Sequence, residues 1–227
     1  QPIQLRDVGF DTRPHPRLLA SIVEALESAQ SPAFVVGAAV DRGNAFAEVQ
    51  ALAERHQARV FVAPMSGRCG FPEDHPQFGG FLPAMRERIV QKLAGHDVVF
   101  VIGAAAFTYH VEGEGPFMPE GSTLYQLIED PAIAAWAPVG TSAVGNIRMG
   151  VQELLNRPPV AQRQPLQARA AAPVPAAPAS GEYMSDAFLM HTLTQLRGRD
   201  SIIVEESPGS RPIIQTYLPI YQSETFY

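Results

Sequence analysis

The stretch Asp97-Val98-Val99-Phe100-Val101-Ile102-Gly103 constrains the fold more than any other part of the chain. An unbroken run of branched and aromatic apolar residues, with no polar alternation, describes a strand covered on both faces. Ala33-Phe34-Val35-Val36-Gly37 and Arg59-Val60-Phe61-Val62-Ala63 repeat the pattern, and Thr123-Leu124-Tyr125-Gln126-Leu127-Ile128 reads as a further strand. Segments with apolar residues at helical spacing lie between them. That spacing predicts helices over 15–30 (Leu18, Leu19, Ile22, Val23, Leu26), 43–57 (Phe46, Val49, Ala53), 82–94 (Met85, Ile89, Leu93) and 146–156 (Ile147, Val151, Leu154). Strand–helix–strand alternation with buried strands implies parallel pairing through right-handed crossovers. The expected fold class is α/β: an open, doubly wound, mostly parallel sheet, followed by a partial second α/β domain.

Proline placement divides the chain. Its 21 prolines in 227 residues are about twice the average usage. Six of them, at positions 158, 159, 165, 173, 175 and 178, fall in a stretch with no acidic and no aromatic residue. Such Ala/Pro-rich sequence cannot build a core and reads as an extended linker. The expected domains are 1–157, a linker over 158–180, and a C-terminal piece over 181–227. In that piece a helix is expected over 183–197 (Phe188, Leu189, Thr192, Leu196), stopped by Gly198. Ser201-Ile202-Ile203-Val204 is expected as a buried strand, ending in the turn Glu205-Glu206-Ser207-Pro208-Gly209-Ser210. One helix and one strand are too little to fold alone. The chain opens on Gln1-Pro2-Ile3 and closes on Thr225-Phe226-Tyr227, and both ends are expected to be cuts through a longer polypeptide.

Composition removes several function classes. A net charge of −6 without a Lys/Arg cluster argues against nucleic-acid binding. No apolar run approaches the roughly 18 residues of a membrane span. Cys69 is the only cysteine, which excludes an internal disulfide framework or a CxxC pair, so a reducing cytoplasm is the expected compartment. A dinucleotide fingerprint is absent: Gly37-Ala38-Ala39-Val40-Asp41-Arg42-Gly43 lacks the G-x-G-x-x-G spacing, and no Walker-type sequence occurs.

Among six histidines, none pairs with another His or with Cys at metal-ligand spacing. His15, His56 and His191 are expected on helix surfaces or boundaries, and His96 as a cap in a helix-to-strand turn. His110 differs. It follows the strongest strand by seven residues, in the Gly-containing loop Phe107-Thr108-Tyr109-His110-Val111-Glu112-Gly113-Glu114-Gly115. Loops at the carboxyl ends of parallel strands are where α/β sheets place functional groups, and imidazole is suited to proton transfer near neutral pH. The residues alone leave a solvated loop histidine as the alternative. A long loop over 64–80 contains Cys69, for which packing rather than nucleophilic chemistry is expected.

Several segments together carry a family resemblance: Arg68-Cys69-Gly70-Phe71-Pro72, His75-Pro76-Gln77-Phe78-Gly79-Gly80, Leu82-Pro83-Ala84, Gly95-His96-Asp97-Val98-Val99, and Phe107-Thr108-Tyr109-His110. The series resembles the thiamine-diphosphate-dependent 2-oxo acid decarboxylase and carboligase family, on its benzoylformate-decarboxylating branch. The resemblance implies three α/β domains, of which 1–157 looks like the Rossmann-like middle scaffold and 181–227 like the start of the diphosphate-binding domain. It implies thiamine diphosphate and Mg²⁺ as cofactors, the metal motif and the activating Glu lying outside this chain. His110 matches a middle-domain histidine that takes part in proton transfer. Glu206, Ser207, Gly209 and Ser210 match the segment that touches the diphosphate. Pro208, Gly209 and Arg211 stand where the family's better-known pattern has hydroxyls. The implied activity is non-oxidative decarboxylation of an aromatic or related 2-oxo acid, in a homodimer or homotetramer completed by the missing domains.

Two other readings remain at this level. One is a carboligase similar to acetolactate synthases, with flavin in the middle domain. The other is a non-catalytic scaffold or assembly module, since the chain lacks both the Glu and the metal motif that the resemblance requires.

Overall fold

The computed structural model describes residues 9, 11–157, 163, 166–167 and 169–227. Six parallel strands form one sheet: β1 Pro32–Val36, β2 Arg59–Val62, β3 Phe78–Phe81, β4 Val98–Ile102, β5 Thr123–Ile128 and β6 Thr141–Val144. Their order is β3-β2-β1-β4-β5-β6, so the winding direction reverses between β1 and β4. β1 and β4 pair in register from Pro32↔Val98 to Val36↔Ile102, which places Gly37 and Gly103 side by side at the strand ends. The parallel α/β sheet is the expected one.

Alternation along the strands explains the continuous apolar runs. Phe34, Val36, Phe100 and Ile102 enter one core with Leu19, Leu26, Val49 and Val151, whereas Ala33, Val35, Val99 and Val101 enter a second with Ile89 and Leu93. Helices α1 (Pro16–Ser28), α3 (Phe46–His56) and α6 (Ile147–Leu155) cover the first face. Helix α4 (Arg86–Leu93) and the loop carrying Ala106, Phe107, Tyr109 and Met118 cover the second. That loop is therefore part of the sheet's cover and also carries His110.

In the sheet domain four short elements escape the periodic reading. These are helix α2 (Ala38–Arg42), strand β3, helix α5 (Pro131–Ala135) and strand β6. β3 reads Phe-Gly-Gly-Phe and overlaps the end of the expected 64–80 loop. Its pairing shifts register between Val60 and Phe61, and a Cβ at Gly79 would stand 2.5 Å from the Phe61 ring. The glycines that hide this edge strand from a propensity reading are what let it approach β2. Met85 is the α4 N-cap and is 52% exposed, so it does not belong to the buried face assigned to it.

His56 also departs from expectation. It is only 4% exposed, packed on Phe34 at 6.4 Å between ring centroids. Its position in the last turn of α3 faces α1, not water. His15 caps α1, its Nδ1 accepting from Arg17 N–H at 3.2 Å. His96 does bond at the turn before β4, its Nδ1 lying 3.0 Å from the Ser31 carbonyl oxygen. The adjacent Asp97 carboxylate accepts from Gln30 and Ser31 N–H at 2.5 and 3.0 Å.

The C-terminal piece contains α7 (Asp186–Leu196) and a further helix, α8 (Arg211–Tyr217), packed on each other. The expected buried strand over 201–204 does not form. Only an isolated bridge, Ile203↔Phe226, is present, and Ile202 and Val204 are 65% and 68% exposed. Its apolar residues find no neighbouring strand to cover them among the described residues. Linker prolines 158, 159 and 165 lie outside the described residues; Pro173, Pro175 and Pro178 lie in a described stretch with no helix or strand.

Candidate functional site

Three strand ends converge at the reversal point. Gly37 follows β1, Ala63-Pro64 follows β2 and Gly103 follows β4, and together with Ile128, Ile133 and Thr108 they line a crevice of about 430 Å³. Ligands of open α/β sheets bind at this position. Here the backbones close on each other. A Cβ on Gly37 would lie 2.5 Å from the Gly103 carbonyl oxygen and from Ala104 Cβ. Gly103 has φ +67°, a left-handed conformation that glycine takes without penalty. Ala39 N–H donates to Gly103 O and Val40 N–H to Gly37 O, each at 3.1 Å. Two amides at the start of α2 are thus engaged by backbone carbonyls of the strand ends.

His110 lies beyond this crevice on the loop between β4 and β5. Its N–H donates to Ala84 O at 3.0 Å, tying the loop to the residues before α4. The side chain is exposed, and no protein group among the described residues bonds its ring. Around it the loop is fastened by α4. Arg86 ion-pairs with Glu112, donates from Nη1 to Gly115 O at 3.2 Å, and lies 4.1 Å from the Phe117 ring centroid. Glu87 Oε1 accepts from Glu114 N–H at 2.7 Å. An exposed imidazole on a fastened loop can exchange protons with a bound molecule while keeping its place.

The second predicted group, Glu206, Ser207, Gly209 and Ser210, forms the turn leading into α8. Glu206, Ser207 and Gly209 are exposed, and Ser210 is half-buried as the residue preceding α8. The residue that organises the turn is Glu205, whose side chain is 3% exposed. Glu205 Oε1 accepts from Ser207 N–H at 2.7 Å, and Oε2 accepts from Arg211 Nε at 2.7 Å. Nothing lies within 4 Å of a Cβ placed on Gly209. Neither serine hydroxyl has a partner among the described residues. Two hydroxyls without partners among the described residues, on an open turn, can donate to phosphate oxygens, while the Arg211 guanidinium is already paired with Glu205. Among the described residues no group of three His, Cys, Asp or Glu side chains is placed to hold a metal ion. No hydrogen bond or ion pair among them joins His110 to this turn.

Cys69 is buried, its Sγ 3.2 Å from Phe71 O, and burial above all pushes the thiol well above its usual range. It cannot serve as a nucleophile in this state. Sequence reasoning missed Arg86, Glu205 and Arg211. A charged pair six residues apart across a turn, Glu205 and Arg211, was the available signal for the last two. Arg86 reads in sequence as one more solvated helix residue.

Residues 19–154 match the profile described as the thiamine pyrophosphate enzyme, central domain. This chain belongs to the thiamine pyrophosphate enzyme family. It is 37% identical over 205 residues to a benzoylformate decarboxylase of Pseudomonas aeruginosa, an alignment covering 90% of this chain and 38% of that protein. The benzoylformate decarboxylase structure from Polynucleobacter necessarius superposes with a TM-score of 0.89 at 30% identity, over all of this chain and 43% of that one. The thiamine diphosphate-dependent 4-hydroxybenzoylformate decarboxylase of Rhodococcus jostii RHA1 gives 0.88 at 31% identity, over 98% and 42%. The thiamine pyrophosphate enzyme chain therefore spans about two fifths of the length of these relatives. No helix among its described residues is long and apolar enough to cross a membrane.

Proposed function

We propose that the polypeptide containing this chain is a thiamine-diphosphate-dependent, non-oxidative decarboxylase of benzoylformate or a related aromatic 2-oxo acid. Residues 1–157 supply its middle scaffold domain, 158–180 a linker, and 181–227 the opening of the diphosphate-binding domain. The observation that carries this reading is the superposition of the whole chain, C-terminal piece included, on a benzoylformate decarboxylase. Thiamine diphosphate, when bound, supplies the electron sink that accepts the pair left behind as CO₂ departs.

The chain's own residues do the rest. Ser207 and Ser210 would donate hydrogen bonds from their hydroxyls to diphosphate oxygens, Gly209 would let the backbone come close, and exposed Glu206 flanks the turn. Glu205 fixes the turn by holding Ser207 N–H and Arg211. His110 moves a proton at an imidazole nitrogen, delivering it to the carbon that has lost CO₂, so that the 2-oxo acid carboxylate and H⁺ give aldehyde and CO₂. Mg²⁺ is held by residues outside this chain, and the active assembly is a cytoplasmic homodimer or homotetramer.

The test uses the full-length protein with Mg²⁺ and thiamine diphosphate. CO₂ release from benzoylformate is expected, and absence of turnover on any aryl or branched 2-oxo acid would end the proposal. His110→Ala should lower kcat by roughly 100-fold or more, the scale of general acid–base catalysis, with an unchanged circular dichroism spectrum. An unchanged kcat would remove the role given to His110.

A further inference from the structure

We propose that Arg86 is a positioning residue of this same site, holding the His110 loop in working geometry; the inference rests on the reading of His110 just given. Arg86 is the first residue of α4 and is 7% exposed. That placement works against α4 itself. A cation at a helix N-terminus opposes the helix dipole, and burying a guanidinium costs free energy unless its donors are met. They are met only in part, since Arg86 Nε has no partner among the described residues. The neighbouring Met85 makes no side-chain cap either.

What Arg86 does contact lies on the His110 loop. Its guanidinium pairs with the Glu112 carboxylate and donates to Gly115 O at 3.2 Å. It stands 4.1 Å from the Phe117 ring centroid and 5.7 Å from that of Tyr109, the residue next to His110. These partners bracket His110 from 109 to 117. Two lesser ties flank them: Ala84 O receives His110 N–H, and Glu87 receives Glu114 N–H. Lacking helix or strand between 109 and 117, the loop has no backbone ladder to fix its course. One planar fork that engages a carboxylate, a carbonyl and two ring faces together fixes it instead.

A double-mutant cycle in the full-length holoenzyme separates positioning from mere stability. Arg86→Ala should lower kcat on benzoylformate about tenfold with KM within about twofold, as expected for an interaction expressed in the transition state. In a His110→Ala background the same replacement should cost less than about twofold, because residues acting through one another are not additive. An equal tenfold loss in both backgrounds would overturn the proposal, as would an unchanged kcat in Arg86→Ala. Should Arg86→Ala fail to fold, Arg86→Lys keeps the charge and loses the fork. It should show an intermediate loss that again disappears without His110, and full activity in Arg86→Lys would overturn the proposal. If His110→Ala alone is fully active, the His110 assignment falls and this inference with it. If His110→Ala is slow and the losses add, His110 stands and only the role of Arg86 falls.

Discussion

His56 carries a pH dependence that its place in the chain does not announce. Burial, then the Arg163 and Arg55 charges, lower its pKa to about 4, against a weaker opposing bond from its ring to Leu26 O. The unfolded chain takes up this proton near pH 6.5, and the folded chain resists until about 4. The contribution is therefore complete above pH 6.5 and is lost as pH falls from 6.5 toward 4. His56→Gln, a neutral side chain that can still donate to Leu26 O, should flatten that part of the profile. Urea midpoints at pH 7 and 4.5 measure it: the wild-type difference should exceed that of the variant. His56 was legible as a helix residue from spacing. Its burial was not, because a polar residue in the last turn of α3 is inward only by virtue of where α1 lies. His110 was legible for the opposite reason, since a strand-end loop is placed by topology.

At the scale of elements, long apolar repeats were readable and short connectors were not. Helices α1, α3, α4 and α6 and strands β1, β2, β4 and β5 follow periods of 3.6 residues or continuous apolar runs. Strand β6 reads Thr-Ser-Ala-Val and sits at the sheet edge, where burial on both faces is not required. Its Ser142 Oγ donates to Oε1 of Gln126, and Gln126 Nε2 donates to Ala104 O, so a fully buried amide is satisfied. The helix ends show a second unreadable device. Arg163, in the expected linker, donates to Leu26 O at 2.5 Å, Ala29 O at 2.8 Å and His56 O at 2.7 Å. One guanidinium thereby closes the carboxyl ends of both α1 and α3, where a cation also suits the helix dipoles. Arg163→Ala should destabilise the chain by about 1–3 kcal/mol, the scale of charged hydrogen bonds lost from partly buried carbonyls. Thermal unfolding checks it, and a midpoint equal to that of the wild type would show that the clamp contributes nothing.

For the molecule as a whole, the C-terminal piece is tied to the sheet domain by a few polar contacts. Glu73 N–H donates to Ile220 O at 2.9 Å, and Ile220 N–H returns a bond to Glu73 Oε2 at 3.0 Å. Asp41 Oδ1 accepts from Glu224 N–H at 2.9 Å, Arg199 pairs with Asp74 at 2.6 Å, and Arg68 stacks 4.3 Å from the Tyr227 ring centroid. Burial raises the Glu73 carboxyl to about 8, against the Ile220 bond and the Arg169 and Arg197 charges. An acid with a raised folded pKa favours the fold fully below about pH 4.5, and loses that contribution as pH rises to 8. Glu73→Gln keeps an acceptor for Ile220 N–H and removes the ionisation. Its thermal midpoint should exceed that of the wild type at pH 8.5 and match it at pH 5; a deficit at pH 8.5 would contradict the assignment.

Sequence alone determined the parallel α/β sheet and the placement of His110 after its central strand. Both follow from local apolar runs and from the rule that such strands are wound by right-handed crossovers. Tertiary structure alone decided that Gly37 packs directly against Gly103 at the reversal-point crevice. It also decided that Glu205 orders the turn at 206–210 and that a buried Arg86 grips the His110 loop. The first and last depend on which backbone or guanidinium meets which group of a distant segment, a matter of packing that no spacing along the chain encodes; for the Glu205 turn the spacing offered the pair, and only the folded chain brought the carboxylate onto Ser207 N–H and Arg211.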